Sequence, residues 1–191
     1  MKKQLHRNYR KMKYIVYRET LFDKREHFIT FLGAFCGIGL IGFLNSKYLV
    51  LHDNLFLIGS FGASSVLVYG AINSPLAQPR NLIGGHVICA LTGVTVHKFI
   101  PGEPWLTAAL AVSLSIVLMQ ITKTLHPPGG ATALIANIGS AKITGLGYLY
   151  VLSPVLSGAL ILLIVALIFN NLTPHRAYPT KRPFKLFTRK K

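Results

Sequence analysis

Residues 148–169 read YLYVLSPVLSGALILLIVALIF, twenty-two positions without a charge. A straight helical crossing of a bilayer needs about 20 predominantly apolar residues, and this stretch has that length. Five further hydrophobic segments precede it: Phe28–Leu44, Leu55–Ile72, Leu82–Ile100, Trp105–Thr122 and Ala131–Leu146. The second is rich in small polar residues (Ser60, Gly62, Ser64, Ser65). The fifth is short and interrupted by Asn137, Gly139, Ser140 and Lys142. The expected fold is an all-α polytopic membrane protein of about six helical segments. The second and fifth are the candidates for broken or re-entrant passage, which lipid permits only where protein or water surrounds the backbone.

Composition points the same way. Of 191 residues, 51% are hydrophobic and 14% charged, yet the formal net charge is +16; soluble domains carry about 25% charged residues. Nine of the 21 Lys/Arg lie in residues 2–25 and seven in residues 176–191, while Phe28–Thr173 holds only seven charged side chains. A nucleic-acid binder spreads its bases over a polar surface, so no nucleic-acid partner is expected. A soluble enzyme, a disordered tail protein and a disulfide scaffold are excluded together. Cys36 and Cys89 fall in apolar runs, where a free cysteine acts as a small hydrophobe. The 27 mostly polar residues before the first apolar run do not read as a signal peptide.

The chain thus divides into a basic segment (1–27), a membrane domain (28–173) and a basic tail (174–191). Residues 1–27 space Leu5, Tyr9, Met12, Ile15, Val16 and Phe22 close to a helical period. They read either as an amphipathic helix on the membrane surface or as a solvated arm. Both basic ends are expected in the cytoplasm, which requires an even number of crossings. Gly62–Leu67 echoes Gly130–Ile135, and a Ser-Pro pair stands at Ser74-Pro75 and Ser153-Pro154. This admits a 3+3 inverted repeat; small residues common in all membrane helices are the other explanation.

Polar groups in the apolar interior are the functional pointers, since a centred charge costs about 2.5–3.5 kcal/mol on insertion scales. One group is Lys123 with Leu125–Thr132. Pro127 and Pro128 end the preceding helix, Gly129 and Gly130 bare the backbone, and a new helix is expected near Ala131. Its N-terminus is a natural anion site, with Thr132 adding a hydroxyl and His126 or Lys123 a positive charge or proton. The structural alternative is a capped break with Lys123 reaching the interface. The other group is Ser74–Asn81 followed by Gly84, Gly85 and His86, in which Arg80 is the only arginine between residues 26 and 175. Such an arginine grips a planar oxyanion by paired hydrogen bonds, or else lies on headgroups or helix-end carbonyls. Gly84 and Gly85 would admit a close helix. The candidate substrate-binding residues are Ser64, Gln78, Arg80, His86, Lys123, His126, Gly129, Gly130, Thr132 and Asn137, the last also a good interhelical hydrogen-bonder. Trp105, Tyr148 and Tyr150 suit an interfacial aromatic belt, while His52-Asp53 reads as a proton relay or, more simply, a wet loop. Nothing recommends enzyme chemistry, a metal or a cofactor.

Phe61–Ser65, Ser74–Asn81 with Gly84-Gly85-His86, His126–Ala133 and the ending Asn170-Asn171 with Arg176–Pro179 resemble the HPP family of integral membrane proteins, over residues 19 to 180 or so. Some members carry regulatory domains after the membrane region, so a bare membrane module is expected here. Plastid and cyanobacterial members are associated with nitrite transport. The resemblance therefore implies a transporter or channel for a small inorganic anion, nitrite leading, in a bacterial cell membrane and with a homo-oligomer expected from its small size. The alternative is a non-transporting scaffold whose basic ends bind lipids or a partner.

Overall fold

The computed structural model describes residues 24–48, 58–173 and 176–180. Of the surface-helix reading of residues 1–27, residues 1–23 lie outside the described residues, as does the His52–Asp53 loop, while residues 24–27 open the first described helix. All regular structure among the described residues is helical. Helix α1 spans Lys24–Tyr48, and α2 spans Gly59–Ser65 and continues as a π-helical turn over Val66–Gly70. After a 3-10 turn at Pro75–Ala77 come α3 (Pro79–Phe99), α4 (Pro104–Ile121), α5 (Pro127–Ile138) and the short α6 (Ala141–Gly145). A π-helical stretch at Val151–Leu156, kinked at Ser153 ahead of Pro154, leads into α7 (Ser157–Phe169).

Prolines at 79, 104 and 127 open three of these helices. At a first helical position the missing N–H would be unpaired anyway and the fixed φ suits the helix. This corrects the start expected for α5. Pro127 and Pro128 begin that helix, four residues before Ala131, and Gly129 and Gly130 lie within its first turn.

Four helices are long and apolar enough to cross a bilayer: Lys24–Lys47, Pro79–Phe99, Pro104–Ile121 and Val151–Phe169. The second and fifth segments are the short ones. Gly59–Gly70 and Pro127–Ile138 have 12 residues each, about 18 Å at the helical rise, against a hydrocarbon core of about 30 Å.

Contacts fix the direction of every segment. The start of α1, the end of the π-helical turn and the end of α7 meet, because Thr30 Oγ1 donates to the Tyr69 carbonyl and Asn170 Nδ2 to the Val68 carbonyl. The start of α3 meets the end of α4 and the start of α5, because Arg80 donates to the Thr122 carbonyl and Asn81 to that of Leu125. Tyr178 Oη, donating to the Ala77 carbonyl at 2.7 Å, ties the two sets of ends together on one face. Six segments therefore alternate in direction, and the chain enters and leaves on the same face, as an even number of passes demands. The two short helices point oppositely, α2 toward that face and α5 away from it, the relation an inverted pair requires.

Small residues build the spine. A Cβ on Gly93 of α3 would come within 2.6 Å of the Ala133 carbonyl of α5. One on Gly129 of α5 would meet Cys89 Sγ at 2.8 Å and the Gly85 carbonyl at 3.0 Å. Between helices in lipid, packing and hydrogen bonding replace the hydrophobic effect, so bare backbones that approach closely carry the association. Tyr69 fills the centre of the other half. It lies over Gly33 and Gly37 of α1 and donates to the Leu162 carbonyl of α7 at 3.1 Å. Phe28, Phe31, Phe35 and Phe43 on α1, and Ile164 and Ile168 on α7, are exposed, as suits helices facing acyl chains.

Arg176 departs from the picture of a solvated basic tail. It is buried, with Nη1 on the Glu26 carboxylate at 3.4 Å and on Thr30 Oγ1 at 3.0 Å, and Nη2 on the Tyr69 carbonyl at 2.6 Å and Asn170 Oδ1 at 3.0 Å. One guanidinium thus closes the Tyr69 carbonyl of the π-helical turn and pins the chain's exit to α1. Arg176→Ala is expected to lower stability by about 2 kcal/mol, since charge-assisted bonds to buried partners are lost. Arg176→Lys should recover part of this, because an ammonium cannot span four acceptors in a fixed fork. Thermal unfolding in detergent, followed by Trp105 fluorescence, measures it.

Candidate functional site

Three elements converge behind the entry face: α2 contributes Ser60, Phe61 and Ser64, α3 contributes His86, and α5 contributes Thr132 with His126 at its N-cap. Ser60, Ser64, His86, His126 and Thr132 all have zero exposure. Such groups must find partners within the protein, since an unpaired buried polar group is costly. They do so in one chain of hydrogen bonds. His126 Nδ1 lies 2.8 Å from the Leu76 carbonyl oxygen and its Nε2 lies 2.9 Å from Ser64 Oγ. Ser64 Oγ is also 2.7 Å from His86 Nε2, and His86 Nδ1 is 2.7 Å from Thr132 Oγ1. Thr132 donates to Ser60 Oγ at 3.0 Å. The imidazole rings meet edge to face at 5.0 Å between centroids, and Phe61 covers His86 at 5.4 Å.

The geometry follows from the packing. With no side chain at Gly85, the His126 Cβ lies against the bare α3 backbone; a Cβ there would sit 2.5 Å from it. His86 is the next residue of α3, so the glycine that admits one histidine stands beside the other. Tyr150, expected in the interfacial belt, is instead fully buried and donates to the Thr132 carbonyl at 3.2 Å. Its place is inside the bundle, bracing the turn of α5 that carries Thr132. Tyr148 and Trp105 do lie outward, 42% and 72% exposed, with Tyr148 bonded to Thr95 and lying under Lys98 Nζ.

A second group lies on the entry face. Asn73, Pro75, Gln78, Pro79, Arg80, Asn81, Lys123, Pro179 and Thr180 line a cavity of about 520 Å³. Arg80 spends one Nη2 bond, 2.7 Å long, on the Thr122 carbonyl at the C-cap of α4. This is the helix-end role open to it from sequence, and it leaves the rest of the fork in the cavity. Gln78 is a strap. Its amide nitrogen donates to the Ile72 and Ser74 carbonyls and its oxygen accepts from the Thr180 N–H at 2.9 Å, so both amide hydrogens are in use.

Lys123 stands beside Arg80 in an unusual backbone state. Its φ is +56°, and its N–H bonds to Gln120 while that of Thr124 bonds to Met119. That is the left-handed helix end at which glycine is preferred. A lysine kept there carries charge at a backbone cost. Lys123→Gly is expected to raise stability by about 1 kcal/mol while weakening any anion bound in the cavity. A thermal melt and an anion-binding titration on the same variant check the opposed signs.

The ten sequence candidates therefore separate. Ser64, His86, His126 and Thr132 form the buried chain, while Gln78, Arg80 and Lys123 line the cavity. The two places adjoin through Leu76, which accepts from His126 between the cavity residues Pro75 and Gln78, and through the Asn81 bond to the Leu125 carbonyl at 2.8 Å. Asn137 lies apart, making a long 3.5 Å contact to the Gly93 carbonyl. Gly129 and Gly130 do not form an open anion nest. Pro127 and Pro128 bring no N–H, and the Gly129 N–H is taken by the His126 carbonyl at 2.8 Å. Gly129 serves the helix crossing, and Gly130 lies in an apolar groove with Val112, Ile116 and Leu134. Ser60, Tyr150 and Arg176 were absent from the candidates. Ser60 lies one helical turn before Ser64, and that spacing is the signal that could have drawn it in.

Comparison with known proteins adds the lineage. Two curated transmembrane proteins of Dictyostelium discoideum are similar. One is 45% identical over 160 residues, 82% of this chain and 51% of its own length. The other is 43% identical over 165 residues, 85% of this chain and 58% of its own. The chain thus spans somewhat more than half the length of the curated relatives it matches, and neither relative bears on a bacterial placement. No solved structure matches. The family model for the HPP transmembrane region matches residues 19–179, so the expected kinship holds and this chain belongs to the HPP transmembrane family.

Proposed function

We propose that this membrane protein, a transport protein and not an enzyme, is a permease for a small inorganic anion. The observation that carries the reading is the pairing of Arg80 and Lys123 in one cavity, directly against the wall behind which the buried histidine chain begins. Two cations at the mouth of a low-dielectric interior concentrate anions there. A guanidinium with free N–H groups matches a planar oxyanion, and the hydroxyl and imidazole groups within provide hydrogen bonds in place of water. Nitrite is the leading candidate, from the transport role that the family resemblance implies.

The cavity lies on the face where Lys24 and Arg176 enter and leave the bundle. Sixteen of the 21 Lys/Arg lie near the chain's two ends, and positive segments stay on the cytoplasmic side. The cavity is therefore a cytoplasmic mouth. A homo-oligomer suits so small a transporter.

The test is flux into proteoliposomes holding the full chain, with nitrite, nitrate and formate as probes and empty vesicles as reference. Nitrite uptake several-fold above the reference is expected. Uptake equal to that of empty vesicles for all three anions sinks the reading and leaves the scaffold role.

A further inference from the structure

We propose that His86 and His126 hold one proton between them through Ser64, and that this proton crosses the membrane with the anion; the second half rests on the permease reading. The hydrogen bonds of the buried chain fix how many hydrogens it holds. A carbonyl only accepts, so His126 Nδ1 carries the hydrogen it gives Leu76. Thr132 gives its single hydrogen to Ser60, so the hydrogen between Thr132 and His86 sits on His86 Nδ1. Both histidines now have their δ nitrogens protonated. Between the two Nε2 atoms stands Ser64, with one hydroxyl hydrogen for two bonds of 2.7 and 2.9 Å. The other bond needs its hydrogen on an Nε2, and whichever ring supplies it is an imidazolium. With Thr132 donating to Ser60, the chain therefore has room for one proton more than two neutral rings hold.

That proton has two equivalent seats. When it sits on His126, Ser64 donates to His86. When it sits on His86, Ser64 donates to His126. Two short proton shifts, from His126 Nε2 to the Ser64 oxygen and from the Ser64 hydroxyl to His86 Nε2, exchange them without any turn of the hydroxyl. The chain without the proton also has a defined arrangement of hydrogens. If Ser60 donates to Thr132 and Thr132 to His86 Nδ1, every bond is satisfied with both rings neutral. The Ser60–Thr132 hydroxyl pair is therefore the element that differs between the loaded and empty chain.

The surroundings explain why an anion would travel with it. Facing the pair are Ser60, Phe61 and Ser64 of α2, Thr132 of α5, the Leu76 carbonyl and Thr124, whose carbonyl lies by Gly85. Cys89 stands one turn further along α3 against Gly129, and Tyr150 reaches the Thr132 carbonyl. The cations Arg80 and Lys123 lie in the adjoining cavity. Among the described residues the only acids are Glu26, paired with Arg176, and Glu103, at the N-cap position of α4 after the α3–α4 turn. Among the described residues the imidazolium has no carboxylate partner, and a lone buried charge is expensive. A bound anion supplies the missing counter-charge. By linkage, each ligand then tightens the other by the same factor. One proton and one monovalent anion moving together make an electroneutral step.

Proton uptake by the purified full chain, in weakly buffered detergent with a pH indicator, tests the binding without transport. Adding nitrite should draw protons onto the protein, approaching one per chain, with no uptake in His126→Gln. Proteoliposomes test the coupling, using nitrate in parallel and subtracting the nitrous acid leak of empty vesicles. An inward-directed proton gradient should drive wild-type nitrite above equilibrium, indifferent to an imposed membrane potential. Ser64→Ala should lose both the proton uptake and the gradient-driven accumulation, and Ser64→Thr, which retains the hydroxyl, should restore both. Downhill nitrite flux in the wild type with no proton uptake overturns the shared proton and leaves the permease standing. Proton uptake without flux of any tested anion keeps the pair and overturns the coupling together with the permease reading.

Discussion

Arg80→Ala is expected to cut nitrite flux at low concentration by tenfold or more while leaving the protein folded. The side chain makes one structural bond, to the Thr122 carbonyl, and its remaining donors line the cavity. A charge-assisted hydrogen bond contributes about 1.5–3 kcal/mol, and each 1.4 kcal/mol is about a factor of ten in affinity. Arg80→Lys keeps the charge and forfeits the fork, so an intermediate loss is expected, with a raised KM and a nearly unchanged maximal rate. Lys123 still draws anions to the mouth in both variants. The remaining flux should therefore fall as salt rises, because the cavity residues are solvent-exposed and a Debye length of about 8 Å at physiological ionic strength shortens with added salt. Flux kinetics against ionic strength decide the matter. Unchanged KM in both variants would reduce Arg80 to a latch on the end of α4.

Much of the architecture was legible in the sequence because lipid imposes so strong a filter. Six apolar segments, two of them irregular, reappear as four spanning helices and two 12-residue ones. The misread places share a cause. Pro127 and Pro128 read as the stop of one helix, whereas a proline is equally at home starting one; the sequence of residues is the same either way. Tyr150 was sent to the interface by residue type, and only the fold says which side of a kinked helix faces Thr132. Arg176 was counted with the bases of the tail, although its burial depends on the end of the π-helical turn reaching it from 107 positions earlier.

The site was legible as residues and not as an arrangement. Ser64, His86, His126 and Thr132 were each conspicuous as polar groups in apolar runs. That one serine bridges two imidazoles depends on α2, α3 and α5 meeting at a single depth. Hydrophobic periodicity carries no information about that, since each helix is apolar nearly all round. The cavity failed to merge with the histidine chain because the 3-10 turn of Leu76 stands between them, and a three-residue turn leaves no signature beyond its Ser-Pro start. Glycine roles were legible in part. Gly84 and Gly85 were read as a close-approach site, which they are, while Gly129 was given to a ligand and belongs to packing.

Gly93→Leu is expected to abolish the native bundle, and Gly93→Ala to destabilise it by about 3 kcal/mol, the upper range for overpacking a close-packed core. The reason is the identity of the obstructing atoms. A Cβ on Gly93 meets the Ala133 carbonyl oxygen at 2.6 Å and the Ala133 Cα at 2.9 Å, with the Ala136 Cβ at 2.8 Å. None is the end of a flexible side chain, so relief requires α3 and α5 to move apart. This crossing sets the register of His86 against Thr132, held at 2.7 Å, and a separation of even 1 Å takes that bond beyond hydrogen-bonding range. Gly93→Ala should therefore lose proton uptake and transport together with stability. Gly62→Ala is the matched control. It lies on α2 beside Phe61 and two residues before Ser64, yet nothing stands within 4 Å of its would-be Cβ. Alanine is also the better helix former by about 1 kcal/mol, so Gly62→Ala should leave stability level or raised. Thermal unfolding of the two alanine variants side by side measures the contrast. Equal melting temperatures would mean that α3 and α5 do not cross at Gly93, and the depth at which the histidine chain is assembled would have to be set elsewhere.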